Sequence, residues 1–202
     1  MKNDGSLNLR GEVTPLMKLL LQRRSRRKYA EGVATADQIA AILDCARAFQ
    51  GRCGFTAPRI EILGGEERNH VVKAAMKGAI GAVNPWLAFT HAQHLMVCSA
   101  VCPPDPARHD LAIKQAAMTM QIAVLAATEL GLGTCWIAGI NHERIEQLCA
   151  RPDSAEVIAI SPLGLPSARM GLSWDAMLYH LAAKRRKPLE ALWMSETWRE
   201  PR

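Results

Sequence analysis

Seven consecutive residues, Arg23-Arg24-Ser25-Arg26-Arg27-Lys28-Tyr29, bring together five cations and a hydroxyl directly after an apolar run. Near the other end stands a second basic knot, Lys184-Arg185-Arg186-Lys187, followed by Pro188. Arginine grips phosphate oxygens two at a time, lysine acts as a point charge, and serine adds a neutral donor. The chemistry on offer is the capture of a phosphate group by both knots. The plain alternative is two solvated basic faces.

Other chemistry is poorly supplied. No Ser-His-Asp or Cys-His set stands out, and His70, His91, His94, His109, His142 and His180 read as surface or satisfied core residues. Cys98 and Cys102 with His94 and His109 could be drawn as a metal cluster. Their spacing matches no standard zinc pattern, and Cys98 lies inside an apolar strand-like run, so no metal site is expected.

The chain has 202 residues, 49% hydrophobic and 22% charged, which suits one domain with a sizeable core. Residues 1–13 read as a loose arm and residues 14–202 as the domain. A net charge of +6 favours anionic ligands without separating a nucleotide from a nucleic acid. Aromatics do not interleave with the cations as they do on single-strand binding surfaces, so no nucleic-acid partner is expected. The polar start gives no secretory signal and no apolar run reads as long enough to span a bilayer, so the expected location is cytoplasmic, away from membranes. Its six cysteines are then expected to be reduced.

The positioning elements follow in order. Thr14-Pro15 opens a helix that runs into the first knot. Thr35 and Gln38 form a capping box for a second helix reaching about residue 48. The segment 50–58 is a loop, and Arg59–Leu63 alternates as a strand. A helix is expected over 66–77, an irregular stretch over 78–85, no clear assignment over 86–92, and a buried strand over His94–Val101. Cys102-Pro103-Pro104-Asp105-Pro106 reads as a firm break. The longest helix is expected from His109 to Leu130, apolar around most of its circumference. Gly131-Leu132-Gly133 ends it. Thr134–Ile140 is a loop or short strand, Asn141 caps a helix over 142–150, Glu156–Ile160 is a strand, and Leu163–Pro166 a turn. This order suggests an α+β sandwich with a mixed sheet.

Taken together, the ordered motifs resemble the flavin-dependent nitroreductase family over nearly the whole length. Arg23-Arg24-Ser25-x-Arg27-x-Tyr29 is similar to its opening motif, and Asp110–Leu130 to its central dimer helix. Gly131-Leu132-Gly133-Thr134-Cys135-Trp136-Ile137-Ala138-Gly139 is similar to its Gly-Leu-Gly-x-x-Trp-Ile-Gly-Gly. Val157–Ile160, then Leu163-Gly164-Leu165-Pro166 and Lys184-x-Arg186-x-Pro188, resemble its closing strand, turn and basic pair. The resemblance implies a mixed, mainly antiparallel sheet flanked by helices, bound FMN, and a homodimer. It implies that Arg23, Arg24, Ser25, Lys184 and Arg186 hold the FMN phosphate. Arg27 would reach the pyrimidine side of the flavin, and Ala138 and Gly139 would lie against the ring near N5. Asn84 stands where the family often keeps a polar contact. The family's Ala-Pro-Ser-x-x-Asn-x-Gln-Pro-Trp stretch is not kept at Ala48–Arg59, where little beyond Pro58 matches.

The resemblance also implies that NADH or NADPH delivers hydride to the flavin, which passes it to a small acceptor such as a nitroaromatic or a quinone. No protein nucleophile or dedicated base is then needed, and no catalytic side chain is assigned. Two rivals stay open: a flavin-binding protein or specialised member that does not use NADH or NADPH, and a basic nucleic-acid module.

Overall fold

The computed structural model of the protein describes residues 13–50, 58–75, 91–148 and 155–167. The expected arm over 1–13 (save Val13), the stretches over 78–85 and 86–90, most of the 50–58 loop, and Asn84, Lys184 and Arg186 lie outside them.

Four helices and a sheet form around β2 (His94–Val101), which is apolar along its length. The other strands are β1 (Arg59–Gly64), β3 (Gly133–Thr134) and β4 (Ala155–Gly164), in the order β1-β2-β4-β3 with every ladder antiparallel. An isolated parallel bridge, Ser25 to Thr134, adds the mixed character. On one face lie α2 (Ala36–Gln50) and α4 (Pro106–Glu129), on the other α3 (Gly65–Ala75) and α5 (His142–Leu148). The period-2 rule shows why β2 needs both layers. Met96, Cys98 and Ala100 join Ile42, Ala116, Met120 and Ala123 in one core, while Leu95 and Val97 join Val71, Ala75 and Ile145 in the other. This is the expected α+β sandwich.

β4 keeps its apolar residues inside by means of a bulge. Cys98 pairs with Ala159 but Ser99 with Val157, so Ile158 is the extra residue. The insertion flips the phase: Val157 and Ile160, three apart, both face the α3–α5 core. Beyond the end of β3, the open edge of β4 is closed by side chains of α5. Val157 N–H donates to Glu146 Oε1 at 2.9 Å, and Val157 O lies 2.6 Å from His142 Nδ1. These contacts blunt an edge that would otherwise offer unpaired backbone groups.

Several expected boundaries hold. Thr35 Oγ1 and Gln38 Oε1 accept reciprocally from each other's backbone N–H at 3.2 and 3.0 Å, the capping box. Thr14 and Asn141 cap α1 (Pro15–Gln22) and α5 through Met17 N–H and Arg144 N–H. Others move. The longest helix starts at Pro106, not His109, because Asp105 accepts from Arg108 N–H at 2.9 Å and proline is well suited to the first helical position. The run read as a break is therefore a helix start. β4 extends through Pro162 to Gly164, into residues expected to turn.

The last point has a physical reason. Pairing Gly133 with Gly164, Thr134 with Leu163 and Ile137 with Ile160 keeps one register throughout. In that register Cys135 faces Pro162, which has no N–H to give. The ladder fails there alone, and Cys135 N–H donates instead to Ser161 Oγ at 3.0 Å, which in turn donates to Pro162 O at 2.9 Å. A strand thus passes through a proline by borrowing a neighbouring hydroxyl.

By length and composition α4 could cross a membrane, contrary to the reading that no run is long enough. Its apolar side is spent otherwise: Ala112, Ala116, Met120, Ala123 and Ala127 are fully buried in the protein core.

Candidate functional site

The first knot leaves α1 as an extended arm laid against the end of the sheet. Arg26 N–H donates to Thr134 O at 2.7 Å, Ala30 N–H to Leu165 O at 2.9 Å, and Ser167 N–H to Lys28 O at 3.1 Å. The arm is therefore backbone-paired to β3 and to the chain leaving β4. The two stretches that the sequence singled out, Arg23–Tyr29 and Gly131–Gly139, share one edge.

Tyr29 pins the arm. Its ring is buried and its hydroxyl donates to Arg26 O at 2.6 Å. Burial pushes the phenol well above its usual range, so it stays a donor at any ordinary pH. The ring lies on two glycines. A Cβ on Gly133 would come within 3.2 Å of Tyr29 Cε1 and 3.0 Å of Arg26 Cβ, and one on Gly164 within 3.3 Å of Tyr29 Cδ1.

Gly131-Leu132-Gly133 serves three different needs. Gly131 has φ +74° and ends α4 in a Schellman turn, with Gly131 N–H on Thr128 O and Leu132 N–H on Ala127 O at 2.8 Å. Leu132 is buried in the α2–α4 core. Gly133 lets the arm approach. The motif thereby turns the chain from the longest helix straight into the edge strand that receives the arm.

Arg23 closes α1, with its N–H on Leu19 O at 3.0 Å. Arg24 turns its guanidinium back to the end of that helix, donating to Leu21 O and, at 3.0 Å, to Arg23 O. A cation suits a helix C-terminus. Ser25 is exposed; Arg23, Arg24 and Arg27 are half-buried. Ala138 and Gly139 are exposed on the loop between β3 and α5. Ala138 O accepts from Ile140 N–H at 2.9 Å and lies 3.2 Å from His142 Nε2. His142 thus stands between this loop and β4, and as a neutral ring it donates to only one of the two carbonyls. In a neutral ring the shorter contact assigns its single proton to Nδ1.

The donor set fits a phosphate: guanidinium groups and a hydroxyl on an arm whose backbone is fixed. The adjacent Thr134 Oγ1 is buried with no hydrogen-bond partner among the described residues. Such a group calls for a polar neighbour. Sequence reasoning missed Thr134, His142 and the pinning role of Tyr29. Only Tyr29, the aromatic end of the motif, carried a signal. A cavity of about 290 Å³ lined by His70, Lys73 and Arg144 lies between α3 and α5 and contains none of the expected residues.

The sequence model of the nitroreductase family matches residues 20–165. No curated protein sequence matches. Among solved structures, the chain is similar to an FMN-dependent nitroreductase from Clostridium difficile R20291, 23% identical over 81% of this chain and 94% of that one, with TM-score 0.61. It is similar to nitroreductase A from Vibrio parahaemolyticus, 17% identical over 92% and 78%, with TM-score 0.71. An iodotyrosine deiodinase bound to FMN and 3-iodo-L-tyrosine is 16% identical over 77% and 92%, with TM-score 0.60.

Proposed function

The chain belongs to the nitroreductase family, and on that premise we propose that it is an FMN-dependent oxidoreductase. NADH or NADPH would be the donor and a small nitroaromatic or quinone the acceptor. The observation that carries this reading is the shared edge, where a fixed cationic arm is paired with β3 beside the exposed loop at Ala138 and Gly139. The FMN-dependent reductase from Clostridium difficile, with the same fold, supports it.

Bound FMN would supply the hydride chemistry. The chain's own residues would bind and orient. Arg23, Arg24 and Ser25, with Lys184 and Arg186, would neutralise the phosphate through charge-assisted hydrogen bonds. Arg24 Nη1 is engaged at the end of α1, so a phosphate would be met by its other guanidinium N–H groups or by exchange of those contacts. Arg27 would place a cation by the pyrimidine edge, where it favours added negative charge. Ala138 and Gly139 would give the ring a surface without side-chain bulk. His142, which meets Val157 O through Nδ1, would stand beside that surface at Ala138. Asn84 would add a polar contact.

We also propose a homodimer. α1 has no buried residue and exposes Leu16, Met17 and Leu20, while α4 exposes Leu111 and Met118. Apolar side chains grouped on one helix suit a partner's surface.

The departure at Ala48–Arg59 favours a second reading, a flavoprotein that refuses nicotinamide donors. The absorbance spectrum of the purified protein separates the two. The leading reading expects the two visible flavin bands, bleached by NADPH or NADH without oxygen. Yellow protein that neither donor bleaches moves the assignment to the second reading. Colourless protein that takes up no FMN contradicts both.

A further inference from the structure

At the far end of β4 from the cationic arm, three side chains from three elements converge. Cys102 follows β2, His109 sits in the second turn of α4, and Glu156 is the second residue of β4. Their candidate ligand atoms all lie within 4.8 Å of one another. We propose that Cys102 Sγ, His109 Nε2 and the Glu156 carboxylate form a binding site for a divalent transition ion of the Zn²⁺ class.

The ligand chemistry is the first support. Thiolate, imidazole and carboxylate are the donors that Zn²⁺ takes, and three protein ligands leave a fourth position for water. Geometry is the second. Tetrahedral Zn²⁺ holds sulfur, nitrogen and oxygen ligands about 3.4–3.6 Å from one another, given its bond lengths. His109 Nε2 and Glu156 Oε1 stand 2.8 Å apart, so an ion has only to part them by under about 1 Å. Cys102 closes the inner side and is buried, while His109 and Glu156 are 41% and 48% exposed, which gives an ion a way in.

The framework is the third support. Glu156 is held in register opposite Ala100, two residues before Cys102. His109 N–H donates to O of the N-cap Asp105 at 2.8 Å. Glu156 and His109 are thus placed by a ladder and a capped helix, and Cys102 by the four-residue connection that joins β2 to α4. Binding releases the thiol proton to solvent and needs the Nδ1–H tautomer of His109, so the proton that Nε2 shares with Glu156 moves through solvent to Nδ1, and three metal–ligand bonds replace the His109–Glu156 contact. The ion would fasten the end of β2, the start of α4 and the start of β4. Glu156 is seven residues from Leu163, roughly 23 Å along the strand, so the ion would act on stability and leave the arm alone.

The sequence had paired Cys98 and His94 with Cys102 and His109. The fold separates them: Cys98 Sγ donates to Ala116 O inside the α2–α4 core. Glu156, 47 residues from His109, is the ligand that no linear spacing could offer.

The test uses the untagged full chain and Co²⁺ as a coloured stand-in. The expected result is a near-ultraviolet thiolate-to-cobalt band that saturates at one ion per chain. Cys102→Ser abolishes it, while Cys45→Ser, which removes an exposed thiol on α2, keeps it. Glu156→Gln weakens Zn²⁺ binding by about tenfold or more in competition with a chromophoric chelator. Circular dichroism first establishes that each variant is folded. If Cys102→Ser does not fold, the exposed Glu156→Gln and the half-exposed His109→Ala carry the test. A wild-type chain with no band, a band that survives Cys102→Ser, or Glu156→Gln with unchanged Zn²⁺ affinity overturns the site.

Discussion

The two ends of β4 are built in opposite ways. At the Gly164 end, the cationic arm, the Gly131–Gly139 stretch and the strand meet through backbone pairing and two glycines, with one aromatic ring as the pin. At the Ala155 end, side chains do the joining: Glu146 and His142 cap Val157, and Cys102, His109 and Glu156 converge. Backbone-built geometry leaves a trace in sequence, because glycine at a close approach and an aromatic at its pin have few substitutes. Side-chain convergence between distant elements leaves almost none. Cys102 and His109 stand among several other thiols and imidazoles in the sequence, and Glu156 is unremarked until the fold brings it to them.

The largest effect should come from removing the pin. Tyr29→Ala takes a buried ring off Gly133 and Gly164 and should cost about 3–5 kcal/mol, with loss of bound flavin. Chemical denaturation and flavin content per chain measure both. Should flavin stay bound at full occupancy, the arm is held by something other than Tyr29.

Gly133→Val tests the same junction from below. The new side chain must displace Arg26 Cβ and Tyr29, whose nearest atoms lie 3.0 and 3.2 Å from a Cβ there. Overpacking of this kind costs about 1–3 kcal/mol. A melt in which Gly133→Val matches wild type would mean that the arm approaches less closely than described.

Gly131→Ala isolates backbone conformation, since nothing lies within 4 Å of a Cβ there and only φ +74° opposes it. About 1–2 kcal/mol should be lost, as a left-handed conformation costs an L-residue. Flavin binding should persist, in contrast to Gly133→Val, and that split sharpens the difference between a turn glycine and an approach glycine.

The smallest effect is a pH dependence at His94, which starts β2. Burial lowers its pKa from 6.5, and its Nδ1 is buried with no partner among the described residues. The folded state keeps the ring neutral while the unfolded chain takes up a proton. Stability from this source is therefore present above pH 6.5 and falls as the pH drops below it. Urea midpoints of wild type and His94→Gln should converge as the solution is acidified. Parallel curves would remove His94 from the account.

Much of this was legible in the sequence. The caps at Thr14, Thr35 and Asn141 are local rules that the tertiary structure had no cause to override. The order of the motifs also carried the fold. What escaped was decided by partners far away in the chain. Asp105 and Pro106 are the exception, a local cap hidden in a proline-rich run. Pro162 stays in a strand because Ser161 supplies Cys135 with an acceptor. His142 gains a role only once Val157 and Ala138 flank it.

We propose above that the arm at Arg23–Tyr29 is a phosphate clamp. The most direct measurement compares the affinity of the flavin-free protein for FMN and for riboflavin, which differ by the phosphate alone, in wild type and in Arg23→Ala. With a clamp, wild type should prefer FMN by about a hundredfold or more, as two charge-assisted hydrogen bonds would give, and Arg23→Ala should lose much of that preference while riboflavin binding is unchanged. Equal affinity for the two flavins in wild type, or an undiminished preference in Arg23→Ala, would contradict it.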